Sequence, residues 1–313
     1  MKQTVLKGLQ TGLNTTWKLG KVIFPITLIV TILQFTPVLP WIISLISPIM
    51  GLFGLSGDAA IPLVIGNALN LYAAIGAILS LELTVKEVFI LAMMLSFSHN
   101  LFVESTVAMK VGVKMWIILA VRIGLALTAG IVINLVWQGG GDIAQYGMVP
   151  EVTAQPETWG AILLLGLQKA VFGVLQLAMI VIPLMVMIQI AKDLKWLDAF
   201  SKAVAPVTRF LGMKENTSMT LASGLLIGLA MGSAVMIQAV EEDGVSRRDV
   251  TLAFIFLVAC HAVIEDTLIF IPLGIPVWPL FLIRIVTAVI LTIVVARLWD
   301  RPERARRKEA AHT

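Results

Sequence analysis

Charge is scarce in this chain. Of 313 residues only 13% are Asp, Glu, Lys or Arg, while 58% are hydrophobic. A soluble domain carries about 25% charged residues. Mean hydropathy is +0.95. This balance excludes a soluble enzyme, a DNA-binding module and a disordered scaffold, and leaves a polytopic membrane protein. The single cysteine, Cys260, excludes an intramolecular disulfide. Phosphate-binding and metalloprotease motifs are missing: there is no P-loop, no G-x-G-x-x-G and no H-E-x-x-H. Glu265 follows His261 by four residues, without the second His of a zincin. The fourteen methionines are scattered and read as core filler, not copper ligands. The N-terminus lacks the compact apolar core and cleavage site of a secretory signal. The net charge of +4 is no nucleic-acid signature, because the basic residues cluster at span ends, where topology accounts for them.

What is present is written twice. Residues 5–55 align with 163–213 at an offset of 158: Gly8, Pro25 and Pro48 meet Gly166, Pro183 and Pro206. After a short insertion the offset becomes 162. Gly66 then meets Gly228, Thr84 and Glu87 meet Ser246 and Asp249, and His99 meets His261. Glu104, Trp116, Arg122 and Trp137 meet Asp266, Trp278, Arg284 and Trp299. Chance does not keep that order and spacing. The expected domains are a first membrane repeat at 1–137, a glycine-led extracytoplasmic linker at 138–158, a second repeat at 159–299 and a basic cytoplasmic tail at 300–313. Val5, Leu6, Leu9, Leu13 and Trp17 recur at roughly helical spacing, which predicts an N-terminal amphipathic helix on the membrane surface.

Apolar segments fall near 16–36, 59–80, 88–108 and 114–137, and again near 160–191, 219–240, 250–270 and 277–299. If all eight cross the bilayer, both copies point the same way. If 59–80 and 219–240 are re-entrant hairpins, each copy crosses three times and the second is inverted. Lys and Arg accumulate on the cytoplasmic side. With both termini cytoplasmic, hairpins put nineteen of the 23 basic residues inside, three within spans, and Lys86 alone outside. Eight straight spans would leave seven outside. Pro62, Gly66, Asn67, Asn70 and Gly76 interrupt the first hairpin; Ser223, Gly224, Gly228, Gly232 and Ser233 interrupt the second. Such interruptions in inverted repeats point to a transporter's binding site, although small residues also serve close helix packing. The predicted fold is therefore all-α and polytopic: two inverted repeats, each with three transmembrane helices and one re-entrant hairpin.

Ionisable groups at membrane depth are costly and mark ion or substrate paths. His99 and Glu104 in the first copy correspond to His261 and Asp266 in the second, with Glu265 additional. Two imidazoles and these carboxylates suit proton or cation coupling, or the binding of a divalent metal by His99, His261, Glu104 and Asp266. The bland alternative is that each acid only locks helices by pairing with a nearby His or Arg. On a helix His261 and Glu265 would share a face. Arg122 and Arg284 are expected in structural ion pairs with Glu104 and Asp266, or as binders of an anionic substrate. Ser98 and Ser105 lie beside His99 and Glu104, but intramembrane serines are more often packing donors, so no catalytic residue is assigned.

The segments Gly66, Asn67 and Asn70; Gly228, Gly232 and Ser233; Ser98, His99, Asn100, Glu104 and Ser105; and Cys260, His261, Glu265, Asp266 and Thr267 resemble the Gate, or nucleoside recognition, family. That family includes spore maturation proteins A and B, and related repeats occur in concentrative nucleoside transporters and ferrous-iron transporter B. The resemblance implies re-entrant hairpins whose polar tips face a central site. Asn67, Asn70, Ser98, Asn100, Gly232 and Ser233 would then contact substrate. The chain lacks the GTPase domain of the iron transporter and the acidic hairpin motif that binds ribose in the nucleoside transporters. The expected function is a secondary transporter or channel in the cytoplasmic (inner) membrane. It would move a small polar or charged solute, without a bound cofactor, coupled to protons, sodium or a divalent cation. Its partners would be the bilayer, the solute, and a second copy or another membrane protein, with no nucleic acid. The alternative is a membrane assembly or maturation factor without flux. An intramembrane enzyme dependent on Ser98 or Ser105 ranks third.

Overall fold

Long apolar runs without water can satisfy their backbone only as helices. A computed structural model describes residues 2–147, 156 and 158–310, and among these it contains no strand, only an isolated bridge between Thr84 and Ile143. The first half comprises α1 (Lys2–Gln34), α2 (Val38–Gly51), α3 (Ala60–Ala68), α4 (Leu71–Ile78), α5 (Val85–Ser98), α6 (Leu101–Lys110) and α7 (Met115–Val136). The second comprises α8 (Trp159–Asp193), α9 (Trp196–Phe210), α10 (Ser218–Ile227), α11 (Leu229–Glu242), α12 (Arg247–Ala259), α13 (Glu265–Leu268) and α14 (Val277–Ala310). The duplication reaches the helix caps. Thr84 closes a capping box with Glu87 at the start of α5, and Ser246 caps α12 through the Asp249 amide at 3.1 Å.

Among the described residues, five stretches are long and apolar enough to cross a membrane: Lys2–Gln34, Val85–Lys110, Met115–Val136, Trp159–Asp193 and Val277–Asp300. The expected span at 250–270 is not one helix. It stops at Ala259, and α13 resumes only at Glu265. The segment expected to be amphipathic at the N-terminus is helical and runs without a break into the first span, as one α1 of 33 residues, about 50 Å long. Leu6, Leu13 and Trp17 point outward, while Gly8 and Gly12 are buried. Residues 1, 148–155, 157 and 311–313, including His312, lie outside the described residues.

The chain forms two compact units, each drawing on both halves of the sequence. The first gathers Met1–Phe102, Arg122–Leu194 and Ile264–Leu280. In it α1 packs antiparallel on α8, its counterpart in the repeat. A Cβ on Gly8 would meet Val186; on Gly12, Ile182; on Gly20, Val174; and on Gly166, Leu28. Each step forward along α1 is thus a step back along α8. α4 docks on α1 where Gly76 faces Ile23 and Thr27, and the Thr27 hydroxyl donates to the Gly76 carbonyl at 3.0 Å. From α8, Lys169 Nζ donates to the Ser80 carbonyl at 2.9 Å. Every residue of α5 from Val88 to Ser98 is buried.

The second unit gathers Val103–Val121, Lys195–Val263 and Phe281–Thr313. Its core is α12, buried from Asp249 to Ala259. Gly224 on α10 lets Leu257 approach within 2.5 Å of where a Cβ would stand. Arg248 holds Asp300 with two hydrogen bonds, at 2.9 and 3.0 Å, and donates to the Gly212 carbonyl at 2.8 Å.

Candidate functional site

A helix interrupted inside an apolar protein leaves carbonyls without their intrahelical amides. α5 stops at Ser98, His99 turns to φ −55° and ψ 155°, and Asn100 takes φ +50° before α6 begins. Arg122, fully buried on α7, covers this end. Its Nε donates to the Phe97 carbonyl at 2.9 Å, and its Nη2 donates to the His99 carbonyl. The His99 ring folds back so that Nδ1 lies 2.7 Å from the Leu95 carbonyl. A carbonyl only accepts, so Nδ1 carries the hydrogen and Nε2 is the nitrogen that can exchange a proton. A ring nitrogen of His99 and a carboxylate oxygen of Asp266 lie within 4.8 Å.

The hairpin α3–α4 is fastened to this break. The Asn100 amide donates to the Gly66 carbonyl at 2.8 Å. Gly66 is required because a Cβ there would lie 2.4 Å from Leu95 Cδ2 and 2.8 Å from Ala74 Cβ. At the tip, Asn70 caps α4 by accepting from the Ala73 amide at 2.9 Å, and Asn67 donates to the Leu63 carbonyl at 2.7 Å. Tyr72, in the first turn of α4, donates its hydroxyl hydrogen to Glu265.

The second unit repeats the device. α12 ends at Ala259, and Cys260 and His261 leave the helix. His261 Nδ1 lies 2.8 Å from the Leu257 carbonyl, and Arg284 donates to the His261 carbonyl at 2.8 Å. Both arginines therefore reach the carbonyl of a histidine 23 residues earlier. His261 Nε2 stands 3.3 Å from Glu104, both buried. The Ala262 and Val263 amides donate to the Gly224 and Leu225 carbonyls at 3.0 and 2.8 Å, fastening the break to α10. Gly228, at φ +89°, makes the turn between α10 and α11.

Each histidine thus stands in a unit with the acid of the opposite half: His99 with Asp266, His261 with Glu104. The described hydrogen bonds of Arg122 and Arg284 end on backbone carbonyls. His261 and Glu265 do not share a helical face, because no helix runs through 261–264. Ser98 and Ser233 donate to the carbonyls of Met94 and Ala230, each at 2.9 Å, and Gly232 is buried in the first turns of α11. Sequence reasoning missed Tyr72. Its signal was rarity, since the chain has two tyrosines and this one follows the interrupted Asn67–Asn70 stretch.

Ala262 has φ +41°, equivalent to Asn100 at +50°. An L-residue there costs about 1–2 kcal/mol, and glycine removes most of that while adding unfolded-state freedom. Ala262→Gly should raise unfolding stability in detergent by about 0.5–1 kcal/mol, read as a higher melting midpoint.

Comparison with known proteins follows the same duplication. The family model described as Gate, nucleoside recognition, matches residues 16–115 and 174–275, two matches beginning 158 residues apart. The chain is 64% identical over 301 residues to the uncharacterized membrane protein YvoD of Bacillus subtilis (strain 168), covering 96% of each chain. No solved structure matches. With the match falling on both halves and on both interrupted helices, the chain belongs to the Gate, or nucleoside recognition, family of membrane proteins.

Proposed function

We propose that the protein is a secondary transporter or channel of the cytoplasmic membrane. It carries a small polar or charged solute with proton or cation coupling, and it makes or breaks no covalent bond. Its two halves are inverted repeats of three crossings and one re-entrant hairpin each, with both termini cytoplasmic. The antiparallel seating of α1 on its counterpart α8 supports the inversion. The shortness of α3, α4 and α10, eight to ten residues each, supports hairpins, since about 20 residues are needed to cross. The observation that carries the reading is the twice-built assembly of a broken helix, a buried histidine, an acid from the opposite half and an arginine on the exposed carbonyls. Irregular backbone and ionisable groups at membrane depth persist where they serve a path. Asn67, Asn70, Ser98, Asn100, Gly232 and Ser233 are the proposed solute contacts. His99, Glu104, His261, Glu265 and Asp266 are the proposed coupling groups, and Arg122 and Arg284 hold the breaks in place.

The test is uptake of radiolabelled nucleosides, amino acids and divalent cations by proteoliposomes. The wild-type protein should accumulate at least one class. The double variant His261→Ala, Asp266→Asn should lose uptake while eluting as the same monodisperse species. Undiminished uptake by that variant would remove the role given to these residues.

A further inference from the structure

The groove along the seam of α1 and α8 has two walls of one origin. It encloses about 640 Å³. Five of the positions lining it, from Leu13 to Phe24 on α1, recur 158 residues later on α8, from Val171 to Ile182. The α8 wall is wholly apolar. The α1 wall carries Thr16 and Trp17 where α8 has Val174 and Leu175, and Lys21 where α8 has Met179. The Thr16 hydroxyl has no hydrogen-bond partner among the described residues. Lys21 is exposed, with its Nζ 5.7 Å from the centre of the Trp17 ring, and no carboxylate among the described residues pairs with it. Asn14 and Lys18 are exposed on the adjoining turns.

These polar groups stand at membrane depth. Gly20 faces Val174. On α8, exposed apolar side chains run from Leu163 and Leu164, through Leu175 and Met179, to Met187. That band is about 36 Å long at about 1.5 Å per residue, close to a hydrocarbon core of about 30 Å, and Val174 lies near its middle. A lysine offered to lipid there is costly, and the phosphate of a phospholipid stays at the edge of the layer. A second copy offers no counter-charge either. α1, α7, α8 and α14 as far as Trp299 contain no Asp or Glu before Asp193 at the end of α8.

We propose that the groove receives a transmembrane helix of a different membrane protein, one with a carboxylate near its middle that pairs with Lys21. Apolar side chains of that helix pack on Val171, Leu175 and Phe24, and the Thr16 hydroxyl donates to a polar neighbour of the carboxylate. Enclosed between helices, the ion pair satisfies both charges away from lipid. This surface serves assembly whether or not the protein carries a solute.

A hydrophobic carbodiimide joins a lysine amine to a touching carboxylate as an amide and takes up the water as a urea. It is applied to membranes of cells that make the protein from its own gene. Peptide mass spectrometry should find Lys21 linked to an Asp or Glu within an apolar segment of another polypeptide. Lys21→Arg should lose the link, since a guanidinium is not acylated, yet retain that polypeptide on purification. Lys21→Gln should retain about tenfold less of it, the worth of one charge-assisted hydrogen bond. Ala178→Trp, which fills the groove, should do the same, and all three variants should keep the wild-type melting midpoint in detergent. No link to another polypeptide, a link only to this chain's own carboxylates, lipid as the sole bound component, or equal recovery from wild type and Lys21→Gln overturns the assignment. So does a solubilised assembly whose protein mass is 33.9 kDa or a whole multiple of it.

Discussion

Arg122→Ala should lower unfolding stability by about 3–6 kcal/mol, from two charge-assisted hydrogen bonds at about 1.5–3 kcal/mol each. The Phe97 and His99 carbonyls lose their donor in a place that water does not reach, since Arg122 is fully buried. The break at 99–100 then has no cover for its helix end. Arg122→Lys should recover only part, because an ammonium cannot span two carbonyls as a planar fork does. Arg284→Ala should behave alike at the second break, where the same atom type caps the His261 carbonyl. Denaturation in mixed micelles measures both. A loss below about 1 kcal/mol, the scale of an exposed contact, would show that the guanidinium does not hold the break.

The second large effect is expected along α1. A Cβ on Gly8 would sit 2.6 Å from Val186 Cα, and one on Gly12 would sit 2.9 Å from Ile182 Cα. These neighbours are backbone atoms, so no rotamer change relieves the clash. Gly8→Val and Gly12→Val should each cost about 1–3 kcal/mol by overpacking, and together they should force α1 off α8. Gly51, which has nothing near its Cβ position, is the control and should tolerate alanine. A cysteine pair placed at Leu28 and Gly166 in a Cys260→Ser background reports the separation, by loss of cross-linking in the double valine variant. Retained cross-linking at wild-type efficiency would contradict the close-packing account.

The duplication was legible in the sequence because repeated residues at a fixed offset need no knowledge of folding. So was the class of the protein, from hydropathy alone. The interruption at 260–264 was not. Ala262, Val263 and Ile264 contain no glycine or proline, and the break is imposed by long-range hydrogen bonds to Gly224 and Leu225. The exchange of acids between halves was hidden for a similar reason. Sequence spacing relates Glu104 to His99, and nothing in that spacing points to His261, which stands 3.3 Å from Glu104. The continuity of α1 was masked by an apolar stripe that suggests a surface helix. Where its first half packs on α8, the close contacts are made by Gly8, Gly12 and Gly20, which carry no hydrophobic signal.

The seam between α1 and α8 has a centre. Gly8 rests on Val186 and Gly166 on Leu28, and these are the same contact with the roles exchanged. Midway, the register sets Lys18 level with Gln176, a position opposite its own counterpart. Two identical polypeptides lying head to tail would be obliged to place the same side chain on both sides of that point. Joining them in a single strand lifts the obligation: Lys18 is exposed and Gln176 is buried. Tandem fusion therefore permits one face of an originally symmetric object to specialise, a freedom that self-association of separate copies cannot provide.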